Sequence, residues 1–163
     1  MIRQLALGGF VSLANIAIHA LAMTIVIVIA RRSLEWHERF VGLWLAATMV
    51  ATVAVLLATH LLEVVVWFLI YAIFDIAAPG TNLLYFALVN YTTLGYGDIV
   101  PVESWQLLGP MTAMNGILLF GWSTAVIFEV LKEALAAMGR MDLEAEAAAS
   151  PPRAGTVEAN HEV

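Results

Sequence analysis

The residues whose types and spacing most invite chemistry are Thr92-Thr93-Leu94-Gly95-Tyr96-Gly97-Asp98. Two glycines alternate with bulkier residues there. Pointing successive carbonyls the same way requires backbone angles that only glycine tolerates easily, and Gly95 and Gly97 supply those positions. Such a segment offers backbone oxygens as ligands rather than a nucleophile. It also lies between two long apolar runs, which is a physical anomaly. Backbone groups at membrane depth must be satisfied, so an irregular loop survives there only inside protein or lining a wet cavity.

A second set of candidates is ionisable. His60 and Glu63 are three residues apart within an apolar run, so they share a helix face. Charged or titratable groups inside a membrane span are costly and are read as functional by default. Two ligands fall short of the three or four of a usual zinc site. Glu129 and Glu133 are one turn apart near the end of another apolar run. No nucleophile–base set or metal cluster is visible, so the sequence does not read as an enzyme.

The elements that must hold these residues follow from composition. Of 163 residues, 62% are hydrophobic and only 12% charged, against about a quarter charged in soluble domains. The formal net charge of −6 comes without any basic patch for nucleic acid. The absence of cysteine excludes disulfides and thiolate chemistry. Leu5 to Ala30 is long enough to cross a bilayer. Ala20-Leu21-Ala22 resembles a signal-peptide cleavage site, but the apolar run continues to Ile29, beyond a signal peptide's usual apolar core. Arg31 to Arg39 is the most basic loop. Phe40 to Phe74 predicts one long tilted helix, with a kink near Thr59 as the alternative. Pro79-Gly80 breaks it, and Thr81 or Asn82 caps a short helix to about Tyr91. A third long run extends from about Ser104 to Met138, and residues 139–163 read as a frayed helix end followed by a disordered tail.

Lys and Arg placement orients the chain. The 31–39 loop holds three arginines, and Lys132 and Arg140 follow the third run, whereas Asp75 to Gln106 has none. This predicts a multi-pass protein of the cell (inner) membrane, with the 31–39 loop and the C-terminus cytoplasmic. The N-terminus and the re-entrant segment lie outside, with Arg3 as a small vote against. Trp36, Trp44 and Trp105 fall at the predicted interfaces as belt anchors.

The segment Tyr91 to Asp98, with a short helix before it and a long one after, closely resembles the signature of the prokaryotic potassium channels, tetrameric pore-loop cation channels with a T-x-G-Y-G-D filter. The resemblance runs from about Phe40 to Met138. It implies an all-α membrane protein with three transmembrane helices, a re-entrant pore helix and a filter loop, assembled with three identical subunits into a four-fold symmetric homotetramer. Residues 40–138 would be the pore domain, residues 1–30 an extra N-terminal span, 31–39 a cytoplasmic loop and 139–163 a cytoplasmic tail. The implied function is passive, potassium-selective conduction. K+ is the permeant ligand and no cofactor is needed; surrounding lipid is the remaining partner. The carbonyls of Thr93, Leu94, Gly95 and Tyr96 would bind K+, with the Thr93 hydroxyl closing the inner end and Gly97, Thr92 and Asp98 completing and supporting the filter.

Departures from the family pattern carry their own expectations. Leu94 replaces the usual Val or Ile, which leaves a weakly selective cation channel as an alternative; a non-conducting accessory subunit is another. Val89 stands where some members carry a carboxylate. Tyr85, at the position of a common Trp, could donate its hydroxyl to Asp98. By alignment, His60 and Glu63 lie behind the pore helix. They would either brace the filter by reaching Asn90, Tyr91 or Thr92, with pH sensitivity through His60, or only lock two helices together. Leu118, Gly121, Ala125 and Glu129 recur at steps of three or four and would face the pore. Glu129 and Glu133 would form carboxylate rings at the inner mouth, or a plain solvated helix end. Gly116 or Gly121 is a hinge or a close-packing site. Asn115 lines the cavity or bonds to a neighbouring helix; Asn15 and His19 pack the first span against others.

Overall fold

The structure is a computed structural model that describes residues 1–34 and 41–149. Four α-helices follow in order: α1 (Ile2–Leu34), α2 (Val41–Ile73), α3 (Leu83–Tyr91) and α4 (Leu108–Ala149). A single 3-10 turn, Glu103–Trp105, precedes α4. No strand occurs among the described residues. Three helices are long and apolar enough to cross a membrane, over Ile2–Ala30, Gly42–Ile73 and Glu103–Arg140.

Local chemistry sets the boundaries. α2 is one helix of 33 residues, about 50 Å long at 1.5 Å per residue. The Thr59 hydroxyl bonds back to the Val55 carbonyl at 2.9 Å without interrupting it. α2 ends where Asp75 turns left-handed, at φ +48°, and the Ile76 N–H closes onto the Tyr71 carbonyl at 3.1 Å. This is the bond pattern that finishes many helices, and Asp is among the residues that tolerate that conformation. Asn82 caps α3, its side chain accepting from the Tyr85 N–H at 3.1 Å. Pro110 falls in the first turn of α4, where a missing N–H costs nothing.

Two boundaries differ from the sequence reading. α1 continues through Arg31 and Arg32 to Leu34, so the basic segment begins as helix; residues 35–40, Trp36 among them, lie outside the described residues. α4 does not fray at Met138 but runs to Ala149. Residues 139–149 are mostly Ala, Glu, Leu, Met and Arg, all strong helix formers, and Gly139 alone costs only about 1 kcal/mol. Residues 150–163 lie outside the described residues.

α1 and α4 run parallel, and α2 runs antiparallel to both. At one end, Gln4 accepts from the Leu107 N–H at 2.9 Å and donates to the Ser104 carbonyl at 2.7 Å. Beside it the Arg3 guanidinium lies 4.2 Å from the Trp105 ring centroid. Trp105 is therefore buried, with Phe74 edge-on, rather than displayed as a belt residue. The core at this end gathers Trp67, Tyr71, Phe86, Tyr91 and Leu108. A second core at the opposite end joins Met23, Val26 and Ala30 of α1 to Leu56 of α2 and to Val126 and Val130 of α4. α3 sits between α2 and α4, and the loop after it returns toward the same end as the α1 N-terminus.

Candidate pore loop and buried polar centre

The pore loop begins where α3 stops. The Thr92 N–H still bonds to the Leu88 carbonyl at 2.9 Å, and the Thr92 hydroxyl reaches the same oxygen at 2.8 Å. Leu94 N–H then bonds five residues back to the Val89 carbonyl at 3.0 Å. The residue between, Thr93, has φ +62°, followed by Gly95 at +56° and Gly97 at +77°. Left-handed backbone thus recurs at every second residue. The two glycines are the positions expected from sequence, whereas Thr93 was not. A β-branched residue at positive φ is a genuine outlier, held here by the helix-ending bond on its far side. All of residues 92–98 are exposed in the single chain.

Tyr85 and Asp98 meet across this loop. Interaction with the Asp98 carboxylate, and burial after it, push the Tyr85 phenol above its ordinary pKa. Val89 is buried, and its carbonyl receives the loop. Gly116 of α4 supports the same junction. A Cβ there would lie 2.0 Å from the Tyr91 carbonyl oxygen, so helix and loop touch backbone to backbone. Within the chain Gly116 is a packing residue. A Cβ on Gly121 would meet nothing within 4 Å, and close packing does not explain that glycine.

Behind the loop lies a polar centre built from four helices. Glu63 is fully buried. One carboxylate oxygen lies 2.8 Å from His19 Nδ1; the other lies 3.2 Å from His60 Nδ1 and accepts from the Tyr91 hydroxyl. His60 Nδ1 is also 2.8 Å from Tyr91 Oη. The Ser123 hydroxyl of α4 sits between the two imidazoles, 2.9 Å from His60 Nε2 and 3.2 Å from His19 Nε2. His60 and Glu63 therefore reach Tyr91, one of the three residues named for them, and do not contact the loop itself.

The sequence reading treated His60 and Glu63 as a pair and His19 as separate packing. The structure brings all three together, their ligand atoms within 4.8 Å of one another, a metal-like cluster where none is visible in the sequence. His19 makes the interhelical bonds expected of it, but its place in one cluster with Glu63, and that of Ser123, is hidden because they lie 44 and 60 residues from Glu63 along the chain. One signal was available: Asn15 and His19, His60 and Glu63, and Asn115 and Ser123 each recur in helical phase on an apolar helix.

One layer along, Asn115 is buried and bonds to neighbouring helices instead of lining a cavity. Its Oδ1 accepts from Trp67 Nε1 at 3.0 Å and from Asn15 Nδ2 at 3.0 Å. The indole can only donate, which fixes both amide orientations. Asn15 Oδ1 is left buried with no partner among the described residues.

On α4, Leu118, Gly121 and Ala125 lie on the exposed face. Glu129 and Glu133 depart from it. They are half-buried and flank a small groove beside Ile27 and Ala30 of α1, and Glu129 pairs with Lys132 at 3.2 Å. Each four-residue step advances about 40° around a helix of 3.6 residues per turn, so the run from Gly121 to Glu133 precesses toward α1.

Residues 55–133 match the family model described as Ion channel. The matched segment takes in most of α2, all of α3, the pore loop and α4 as far as Glu133. No curated protein and no solved structure matches the chain. The match supports a pore-loop ion channel held in a membrane by apolar helices, and it points to a channel rather than an enzyme.

Proposed function

We propose that this chain is one subunit of a homotetrameric, potassium-selective channel, with Thr93, Leu94, Gly95 and Tyr96 supplying the carbonyl ligands for K+. The observation that carries this reading is the alternation of left-handed backbone at Thr93, Gly95 and Gly97. Alternating handedness turns neighbouring carbonyls toward a common side, as a stack of oxygen rings around an ion requires. Exposure adds to it. A loop at membrane depth with so few internal bonds needs other protein or water around it, and three further copies around a wet axis provide both. Leu94 and Tyr96, 53% and 68% exposed in one chain, would then be covered by neighbours.

In this assembly the α1 N-terminus and the loop face the outside of the cell membrane, and the ends of α4 face the cytoplasm. Leu118, Gly121 and Ala125 line the pore below the filter. Glu129 and Glu133 sit closer to α1 than a ring around the pore would require.

Reconstituted into liposomes, the purified chain should carry K+ in strong preference to Na+. Equal fluxes would favour the weakly selective alternative that Leu94 raises. No flux of either ion, from protein shown to be folded, would favour an accessory subunit.

A further inference from the structure

We propose that His19, His60 and Glu63 form a binding site for one divalent transition-metal ion of the zinc class, with Tyr91 Oη as the fourth donor. The site is separate from the pore loop, and its existence does not depend on which ion the pore conducts.

The first argument is a count of protons. His19 Nδ1 faces a Glu63 oxygen, and His60 Nδ1 faces Tyr91 Oη and the other Glu63 oxygen, while the Tyr91 hydroxyl donates to Glu63. Both Nδ1 atoms must then carry hydrogen. If the rings are neutral, both Nε2 atoms are acceptors, and both lie against Ser123 Oγ. A serine hydroxyl has one hydrogen to give, so one contact is left between two acceptors. Either one more proton on an imidazole or a bound cation relieves that contact.

A metal ion removes the conflict. With the ion on the Nδ1 side, each ring keeps its hydrogen on Nε2 and donates it to Ser123 Oγ, whose two lone pairs accept both. Metal-bound imidazoles ordinarily donate their second nitrogen to such a partner, and Ser123 fills that position for two rings at once. A tetrahedral zinc with bonds of about 2.0–2.1 Å sets its ligand atoms roughly 3.3 Å apart. His19 Nδ1 lies 2.8 Å from one Glu63 oxygen, His60 Nδ1 lies 3.2 Å from the other and 2.8 Å from Tyr91 Oη, and one ligand atom from each of His19, His60 and Glu63 falls within 4.8 Å of the other two, so small side-chain rotations would bring the set onto one ion. Two imidazoles, a carboxylate and a phenol oxygen suit zinc, copper, nickel or iron rather than magnesium or calcium. The His60 side chain is 10% exposed and gives the ion a way in.

The consequence is mechanical. The ligands come from α1, α2 and the last residue of α3, so one ion would join the first helix to the residue that precedes the pore loop.

The test uses the full chain in detergent, with His37 and His161 replaced by Gln so that the cluster holds the chain's only histidines. After chelator treatment, Zn2+ titrated by calorimetry should bind at one ion per chain. X-ray absorption of the Co2+ form should show two imidazoles in the coordination shell. His19→Gln should leave one imidazole and abolish tight binding, and Ser123→Ala should weaken affinity about 10–100-fold, as loss of a partner behind the ligands typically does. No binding, or a spectrum with fewer than two imidazoles, would overturn the proposal. Because that spectrum comes from protein with the cluster intact, the result stands even where His19→Gln fails to fold.

Discussion

The pore loop and the polar centre behind it both place polar groups among apolar helices, and they satisfy them in opposite ways. Around Glu63, two histidines and a tyrosine from three helices close on one buried carboxylate, and Ser123 of the fourth helix bridges the two imidazoles. Residues 92–98 are exposed instead. Two of the loop's N–H groups, those of Leu94 and Gly95, turn back to Val89 at 3.0 and 3.5 Å. The side chains of the centre all come from one chain, whereas the loop is left exposed by it. Substitutions in the centre should therefore act first on folding of the single chain. Substitutions in the loop should act on conduction and assembly.

The largest effect is expected at Glu63. Glu63→Leu strips both imidazoles and Tyr91 of their shared acceptor, and a buried donor left without a partner typically costs about 1–3 kcal/mol. Thermal unfolding in detergent should show a large fall in midpoint. A midpoint within a degree of the parent would mean that the centre adds nothing to stability, and the contrast with the loop would collapse.

A matched pair of glycines on α4 sharpens the comparison next. Gly116→Ala forces a methyl group to within 2.0 Å of the Tyr91 carbonyl oxygen. Overpacking of this kind costs about 1–3 kcal/mol, and here it also pushes on the residue leading into the loop. Gly121→Ala meets nothing within 4 Å and should stabilise the helix by up to about 1 kcal/mol. If Gly121 is the hinge, open probability should fall in the same variant whose stability rises. Opposite signs on stability from one substitution type, read by thermal unfolding, would separate packing from hinging.

Much of this was legible before the fold. Asn82, Pro79-Gly80 and Pro110 mark helix ends by rules that act within a few residues, and the three long helices follow from apolar length alone. Gly95 and Gly97 advertise their backbone by having no side chain. Thr93 does not, because its left-handed φ is imposed by the Leu94–Val89 bond and not by its own type. The Glu63 centre was half legible for a similar reason. His60 and Glu63 share a helix, whereas His19 and Ser123 reach them only through packing of α1 and α4, which periodicity on one helix does not reveal.

Within the loop, Gly97→Ala tests whether backbone handedness serves conduction. Gly97 has φ +77° with open space around its Cα, so the cost is conformational, about 1–2 kcal/mol for an L residue. Stability of the single chain should fall only modestly. The K+ to Na+ flux ratio in liposomes should fall much further, because the peptide that carries the Tyr96 carbonyl would turn out of line. An unaltered ratio would detach selectivity from the alternating backbone.

The smallest expected effect on stability is at Tyr85→Phe. Tyr85 is half-buried, and its interaction with Asp98 lies at an exposed loop where water competes, so the unfolding midpoint should move little. Function is a finer gauge, since Asp98 closes the outer end of the loop and loses its one identified side-chain partner among the described residues. Faster inactivation during sustained K+ flux is the expected result, with unitary conductance unchanged. If Asp98→Asn produces the same acceleration and the double substitution adds nothing to it, the two groups act as one unit. Additive effects would mean that they act separately.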